Sequence, residues 1–518
     1  MTINFLVCWR LFLRSSSSLD ANYSSGIINV ENVGEADRRL DSTEFSLKMY
    51  YNVSNYRASN MLSGNHGGAL YFRNYGWKTP EVSINNSVFE GCLVNGTNRG
   101  GAFYISDATI LSINNSYFNN NSAYYGGTGY IVGISNCFIQ NSMFSYSNSS
   151  IYGSFYISSS ICRIDSVIFN SSYAQASYGG IYFSGSEISI NKTVFYNCSS
   201  RNECGGLGSS SNIRVFDTLF ELCSSNIGGA VYLNSNSITI QIMFCSFLSC
   251  SATSQGGSLY LYQVQSITMS HVCSYNSSSQ QYSFCYTYVY GTSNHVIFDT
   301  NTISKAKRTS SYHMYFNYGS IDIIGTNVSH SIATSNSNNI YIIPSFSFDV
   351  RYSTFVGMSY CNYNIYAQIT ESSLSSFMSY LNYVNNSGSY QFNLVPKSSS
   401  YPIYIQSSIF ASNNGILFSG TYIVRSSHVY HSGTIFSGTY SHYNVIYAGG
   451  MTETMVISHY STYGCRTPDS LGQLDVPCQT LNSIPPLPTS CYVYNTHQES
   501  STTLDSIIPI IVTAILYQ

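Results

Sequence analysis

The stretch RGGAFYISDATILSINNSYFNNNSAYYGGTGYI, Arg99 to Ile131, says the same thing twice. A glycine pair, a small residue and a Tyr-Ile step stand at each end, about 26 residues apart, with SINNSYF between. Glycine pairs recur at Gly67-Gly68, Gly100-Gly101, Gly126-Gly127, Gly179-Gly180, Gly205-Gly206, Gly228-Gly229 and Gly256-Gly257, with a degenerate copy at Gly153-Ser154. A phenylalanine after a short polar run keeps step with them: Phe89, Phe118, Phe144, Phe169, Phe195, Phe220 and Phe247. Two landmarks holding one phase over so many copies mark a chain of stacked supersecondary units.

Each copy holds short runs of β-branched and aromatic residues between Gly, Asn and Ser turn signals, and none has an apolar stripe at helical spacing. A leucine framework is absent, and propeller blades are longer, roughly 40 residues. The pattern predicts an all-β fold, a parallel β-solenoid of about 26 residues and three short strands per coil. Composition agrees: only 8% of residues are charged, yet 44% are hydrophobic and 15% aromatic, with 49 tyrosines, so low hydrophobicity, half of the disorder signature, is missing. A net charge of −3 offers no basic footprint for nucleic acid.

Alternation assigns the faces. After the glycines come Ala69-Leu70-Tyr71-Phe72, Ala102-Phe103-Tyr104-Ile105, Ala230-Val231-Tyr232-Leu233 and Ser258-Leu259-Tyr260-Leu261. Period-two geometry turns the aliphatic and Phe positions inward and the tyrosines outward. Coils stack at ~4.8 Å, which predicts an external ladder of Tyr71, Tyr104, Tyr130, Tyr156, Tyr232 and Tyr260. Ile84, Ile113, Ile164 and Ile190 are expected inside, with the phenylalanine column beyond them, and the glycine pairs are expected to supply a positive-φ bend.

GGALY, GGAFY and GGAVY, paired with FNNN and FASN, resemble the GGA-aliphatic and F-x-x-N repeats of polymorphic membrane proteins, from about Gly64 to Tyr262. The resemblance implies that the solenoid is a right-handed parallel β-helix of pectin-lyase-like fold, at a cell surface. The chain departs from it at Cys92, Cys198, Cys223 and Cys250, which stand where the motif has Asn, and shows no C-terminal barrel pattern of alternating ten-residue strands.

The expected organisation is an N-terminal segment over 1–45, regular coils over 46–290, degenerate coils over 291–460 with Phe355 and Phe410 as distant copies of the phenylalanine mark, a Cys- and Pro-containing segment over 461–505, and an apolar tail over 506–518. INFLVCWRLFLR, interrupted by Arg10 and Arg14, makes a poor signal sequence. The tail IIPIIVTAILYQ, shorter than a ~20-residue span, reads as a partial membrane anchor or a terminal strand. Sequons at Asn52, Asn95, Asn120, Asn148, Asn170, Asn197, Asn276, Asn327 and Asn385 fall in expected turns and are candidate glycosylation sites. Together these favour a cell-surface or secreted location.

Fifteen cysteines settle no redox state. Cys198, Cys223 and Cys250 lie a repeat apart and are expected to stack, either as disulfides or as a ladder of small buried thiols. No C-x-x-C pair and no nearby His suggest zinc, and no metal or other cofactor is expected. Asp107, Asp165, Glu187, Asp217 and Glu221 are expected as isolated solvated carboxylates. Asp165 and Asp217 share a register, two coils or roughly 10 Å apart, with Asn191 between. His271, His295, His313 and His330 are scattered, and GTGYIVG lacks the lysine and helix of a phosphate loop. The expected function is therefore non-catalytic: display or adhesion to a glycan or protein partner, with the tyrosines as contact residues or as a self-packed stiffener. The alternative is a polysaccharide lyase or hydrolase, which would need converging carboxylates.

Overall fold

The computed structural model describes the backbone of residues 3–5, 18–21, 28–32 and 49–447, apart from 75–79, 237, 292–293, 309–311, 333–337, 360, 370–375, 399, 407, 426, 432–433 and 444–445. The Cys- and Pro-containing segment and the apolar tail lie outside the described residues, as do the side chains of the N-terminal segment. Two compact units divide the chain, one up to Ser211 and the other from Asn212, with Asn202–Cys204 grouped with the second. Each is a right-handed parallel β-helix, and no α-helix occurs among the described residues.

A representative coil of the first unit runs Phe103–Ser106, Ile110–Asn114, Tyr117–Asn119, Ser122–Tyr125. Each strand pairs in parallel with its copy above and below: Tyr104 with Tyr71 and Tyr130, Ile113 with Ile84 and Ile139, Phe118 with Phe89 and Phe144, Ser122 with Leu93 and Asn148. The first two strands make one long face, fused in the next coil into Gly129–Gln140. The third and fourth make two short faces.

The core follows the alternation. Phe103, Ile105, Ile84, Ile113, Ile164 and Ile190 are buried. The phenylalanine column stacks ring on ring, with centroids 4.9 Å apart for Phe89–Phe118, 4.8 Å for Phe118–Phe144, 5.3 Å for Phe144–Phe169 and 4.8 Å for Phe169–Phe195. In the second unit Phe220 and Phe247 repeat this at 5.0 Å. There the phenylalanine register passes through Ser274, Ile303 and Val328 before Phe355, Tyr383 and Phe410, all buried, so the inward column runs on with mixed residues where the glycine phrase has faded.

Left-handed backbone marks the bends. Gly100 has φ 70°, and the neighbouring coils use Gly67 at 69° and Gly126 at 63°. In this coil two further bends fall on asparagine, Asn115 at φ 48° and Asn120 at φ 51°, which frame the strand Tyr117–Asn119; the same corners are Ser166 and Ser171, or Asp217 and Leu222, in other coils. Asparagine adopts this region because its short amide bonds locally. Thus NNSYFNN encodes two corners around one strand.

The glycine pairs need a correction of phase. Tyr152, Tyr178 and Cys204 carry the positive φ, at 68°, 66° and 62°, so Gly179-Gly180 and Gly205-Gly206 begin one residue late. What stacks from coil to coil is the second glycine of the regular pairs. A Cβ on Gly101 would meet the Gly127 carbonyl oxygen at 1.9 Å, one on Gly127 that of Gly153 at 2.4 Å, and one on Gly153 that of Gly179 at 1.6 Å. Side chains are excluded there by backbone approach between coils, as well as by the bend itself.

Candidate functional site

In the first unit Tyr71, Tyr104, Tyr130 and Tyr156 form one column, with centroid separations of 5.3, 5.7 and 4.6 Å, and Tyr182 extends it at 6.0 Å. In the second unit Tyr232, Tyr260 and Tyr286 stack at 5.5 and 4.9 Å, and Tyr315, Tyr341 and Tyr366 continue at 5.1, 5.3 and 4.6 Å. Tyr182 escaped the sequence reading because GGIYF is shifted by one position.

Stacking decides what the columns can do. Rings this close and near parallel cover one another's faces, so solvent meets mainly edges and phenol oxygens. Tyr104 and Tyr130 are only 7% and 9% exposed. His66 stacks on Tyr104 at 5.0 Å, and the Arg99 guanidinium lies 4.8 Å over the Tyr130 ring. The expected exposed aromatic wall is corrected at these two positions: the rings stand outside the coil yet are buried by their neighbours.

A second tyrosine column flanks the first. Tyr152 lies 4.9 Å from Tyr156 and 5.3 Å from Tyr182, and Tyr178 lies 4.4 Å from Tyr182. In the second unit Tyr282 and Tyr312 contact Tyr286 and Tyr341 at 4.7 and 4.6 Å. Its sequence signal is an aromatic directly before the stacked glycine, as in Tyr152-Gly153 and Tyr178-Gly179. Burial, with added repulsion from neighbouring phenols, pushes Tyr152, Tyr260 and Tyr315 up to about 12. Burial does the same to Tyr130, up to about 12, against the opposing pull of Arg99. These phenols are neutral hydrogen-bonding groups at physiological pH.

The F-x-x-N position explains the cysteines. Asn121 is fully buried; its Oδ1 accepts from the Cys92 N–H at 2.9 Å and its Nδ2 donates to the Phe89 carbonyl at 3.1 Å, tying two coils at a corner. Asn386 does the same between Met358 N–H and Phe355 carbonyl, both at 2.9 Å. Where Cys replaces Asn, the thiol takes over the donor half: Cys198 Sγ to the Phe169 carbonyl at 3.6 Å, and Cys250 Sγ to that of Phe220 at 3.4 Å. Cys198, Cys223 and Cys250 are buried thiols. Cys223 and Cys250 occupy neighbouring coils of the second unit, whereas Cys198 belongs to the first. A pair the sequence reading missed, Cys137 and Cys162, sits directly in register in the first unit, both buried and free.

The sequons divide. Asn120, Asn197, Asn276 and Asn385 occupy left-handed corners, and Asn95 an exposed turn. Asn52, Asn148, Asn170 and Asn327 lie within strands, correcting the expectation of turns. Asn170 and Asn327 are 9% and 1% exposed, and Asn52 accepts side-chain hydrogen bonds from Ser83 and Asn85, so these three are poor glycan acceptors in the folded chain.

Among the acids, Asp165 is held by Asn191 Nδ2 at 2.5 Å and Ser166 Oγ at 3.3 Å, and Asp217 is 2% exposed rather than solvated. They fall in different units. The carboxylates that register does bring together are Asp322 and Asp349, with Arg351 Nε 3.5 Å from Asp349. Burial raises the Asp349 carboxyl above its usual range, Arg351 opposing and Asp322 adding to the rise. Among the described residues no group of three or more His, Cys, Asp or Glu is placed to hold a metal ion, and no helix is long and apolar enough to cross a membrane. No protein-family model matches the chain, and no curated protein matches it. The chain is a parallel β-solenoid with stacked tyrosine columns.

Proposed function

We propose that this is a non-catalytic cell-surface or secreted protein that displays or adheres, a β-helix of the polymorphic-membrane-protein kind, whose tyrosine columns serve both as stiffener and as contact surface. The observation that carries the reading is the double tyrosine column, with Tyr156 in contact with both Tyr130 and Tyr152. Mutually stacked rings lose little entropy on contact with a partner, because they are already fixed, and their phenol edges present regularly spaced polar groups of the kind a glycan or a β-rich protein surface can meet. The partner contact is then edge-on, through hydroxyls.

Replacing Tyr71, Tyr156 and Tyr182 together by Phe keeps the stack and removes hydroxyls. Fluorescently labelled protein applied to an array of neutral glycans should lose binding in this variant while its melting temperature holds. Binding equal to the parent protein would remove the columns from the contact surface. Protease shaving of intact producing cells tests location; protection of the chain would exclude surface display.

A further inference from the structure

One groove on the first unit is not part of the tyrosine columns. It has a volume of about 420 Å3 and lies over the last short face of the coil, the strands Leu93–Val94, Ser122–Tyr125, Asn148–Ile151 and Tyr173–Ala174. That volume is within the range of small-ligand sites, roughly 300–1,000 Å3. Register explains its shape. Ser122, Asn148 and Tyr173 are consecutive partners across the face, and Ala123, Ser149 and Ala174 alternate with them as inward residues. Two positions further along each strand lie Tyr124, Ser150 and Gln175, with Arg201 following on the next coil. The coil of Asn148, Ser149 and Ser150 is therefore small and polar, with large side chains at either end of it: Tyr124 on the coil before, with Val94 and Gly96 beyond, and Tyr173 then Arg201 on the two coils after.

Both ends are braced. The Tyr124 ring packs edge-to-face on Tyr125 at 4.7 Å. Arg201 Nε donates to the Tyr173 hydroxyl at 3.2 Å, which fixes the guanidinium while leaving its two terminal nitrogens for a further acceptor. Arg201 is the one charged residue lining the groove, and no carboxylate lines it, so the site selects for an anion. Asn148, Ser150 and Gln175 offer uncharged donors and acceptors suited to hydroxyls.

We propose that this groove binds an anionic saccharide, a glycan carrying hexuronate units, whose carboxylate pairs with Arg201 and whose ring packs against Tyr124 and Tyr173. A guanidinium presents paired N–H donors that match a carboxylate, and aromatic rings beside small polar groups suit a pyranose, with its apolar face and hydroxyl rim. A neutral glycan would leave the guanidinium without its partner. The site is separate from the phenol edges proposed above as contact surface, and stands or falls without them.

The test is calorimetric titration of full-length protein, produced without glycosylation, with a 4-linked hexuronate tetrasaccharide and with the neutral hexose tetrasaccharide of the same linkage. The uronate should bind and the neutral glycan should not. Arg201→Met should weaken uronate binding about tenfold or more, as loss of a charge-assisted hydrogen bond does. Tyr124→Ala should weaken it several-fold, and the Tyr71, Tyr156, Tyr182→Phe variant should leave it unchanged. Arg201 is exposed, so its variant should melt with the parent, which keeps the comparison clean. Equal binding of both glycans, no binding of either, or an unchanged affinity in Arg201→Met overturns the proposal. So does an N-glycan on Asn148 in protein isolated from its own cells, because it would fill the groove.

Discussion

Asn121→Ala is the sharpest perturbation of the architecture. The amide of Asn121 accepts from the buried Cys92 N–H of the preceding coil and donates to the Phe89 carbonyl, which also lies in the parallel ladder with Tyr117–Asn119. Alanine orphans the Cys92 N–H, a buried group whose lost partner costs ~1–3 kcal/mol, and removes one of the bonds to the Phe89 carbonyl, worth ~0.5–1.5 kcal/mol. The expected loss is about 1.5 to 4.5 kcal/mol, large against the ~5–15 kcal/mol of a typical domain. Asn121→Cys places there the residue that the chain itself uses at Cys198 and Cys250, whose thiols donate to the matching carbonyl. It restores the donor half only, so it should fall between parent and alanine. Urea unfolding followed by circular dichroism gives the order. Hydrogen exchange at the Cys92 amide localises it, with protection falling on the order of a hundredfold in the alanine variant for a loss near 3 kcal/mol. An alanine variant within ~0.5 kcal/mol of the parent, the range of surface substitutions, would refute the corner bond as a determinant of stability. So would a cysteine variant weaker than alanine.

Three other outcomes follow from the same structure. Gly127→Ala puts a Cβ 2.4 Å from the Gly153 carbonyl and 2.6 Å from that of Asn148, and should lower stability by ~1–3 kcal/mol as overpacking does, whereas Gly64→Ala, with nothing within 4 Å, should be neutral by thermal melting. Tyr130, Tyr152, Tyr260 and Tyr315 are raised from 10.0 to about 12, so the stability they contribute is intact below pH 10 and lost as pH rises toward 12. Urea midpoints should begin to fall near pH 9, where the unfolded thiols of Cys92 and Cys245 ionise while burial holds the folded ones up to about 12, and fall faster above pH 10, together with a delayed rise in tyrosinate absorbance; simple titration at pH 10 in native protein would contradict the burial of the columns. Cys198, Cys223 and Cys250 should resist an aromatic disulfide reagent in native protein and react on unfolding, with rapid native labelling as the contrary result.

Much of the coil was legible in the residues. Phe118 and Ile113 face inward because strand alternation has period two, and a phase shared by Gly, Phe and Tyr over many copies fixes which residues become vertical neighbours. That Tyr104 would lie between Tyr71 and Tyr130 follows from this spacing alone. Accessibility does not. Alternation says which way Tyr104 points, but its 7% exposure comes from rings of adjacent coils and from His66, which lies 38 positions earlier in the chain. The same gap hid the role of the cysteines: a thiol and an amide look unrelated in sequence and become equivalent only where a neighbouring carbonyl needs a donor. Sequons read as turns proved to lie in strands at Asn148, Asn170 and Asn327, because Asn also ends and lines strands in this chain. The groove was beyond reach of the sequence for a related reason. Tyr124, Tyr173 and Arg201 become neighbours only when parallel register lines up residues a coil or more apart, and a cavity is a property of the small residues between them. The sequence by itself determined the coil, its phase and its inward columns, since those need only local geometry repeated; the tertiary structure alone decided which outward groups remain available, since that depends on what each coil lays over the next.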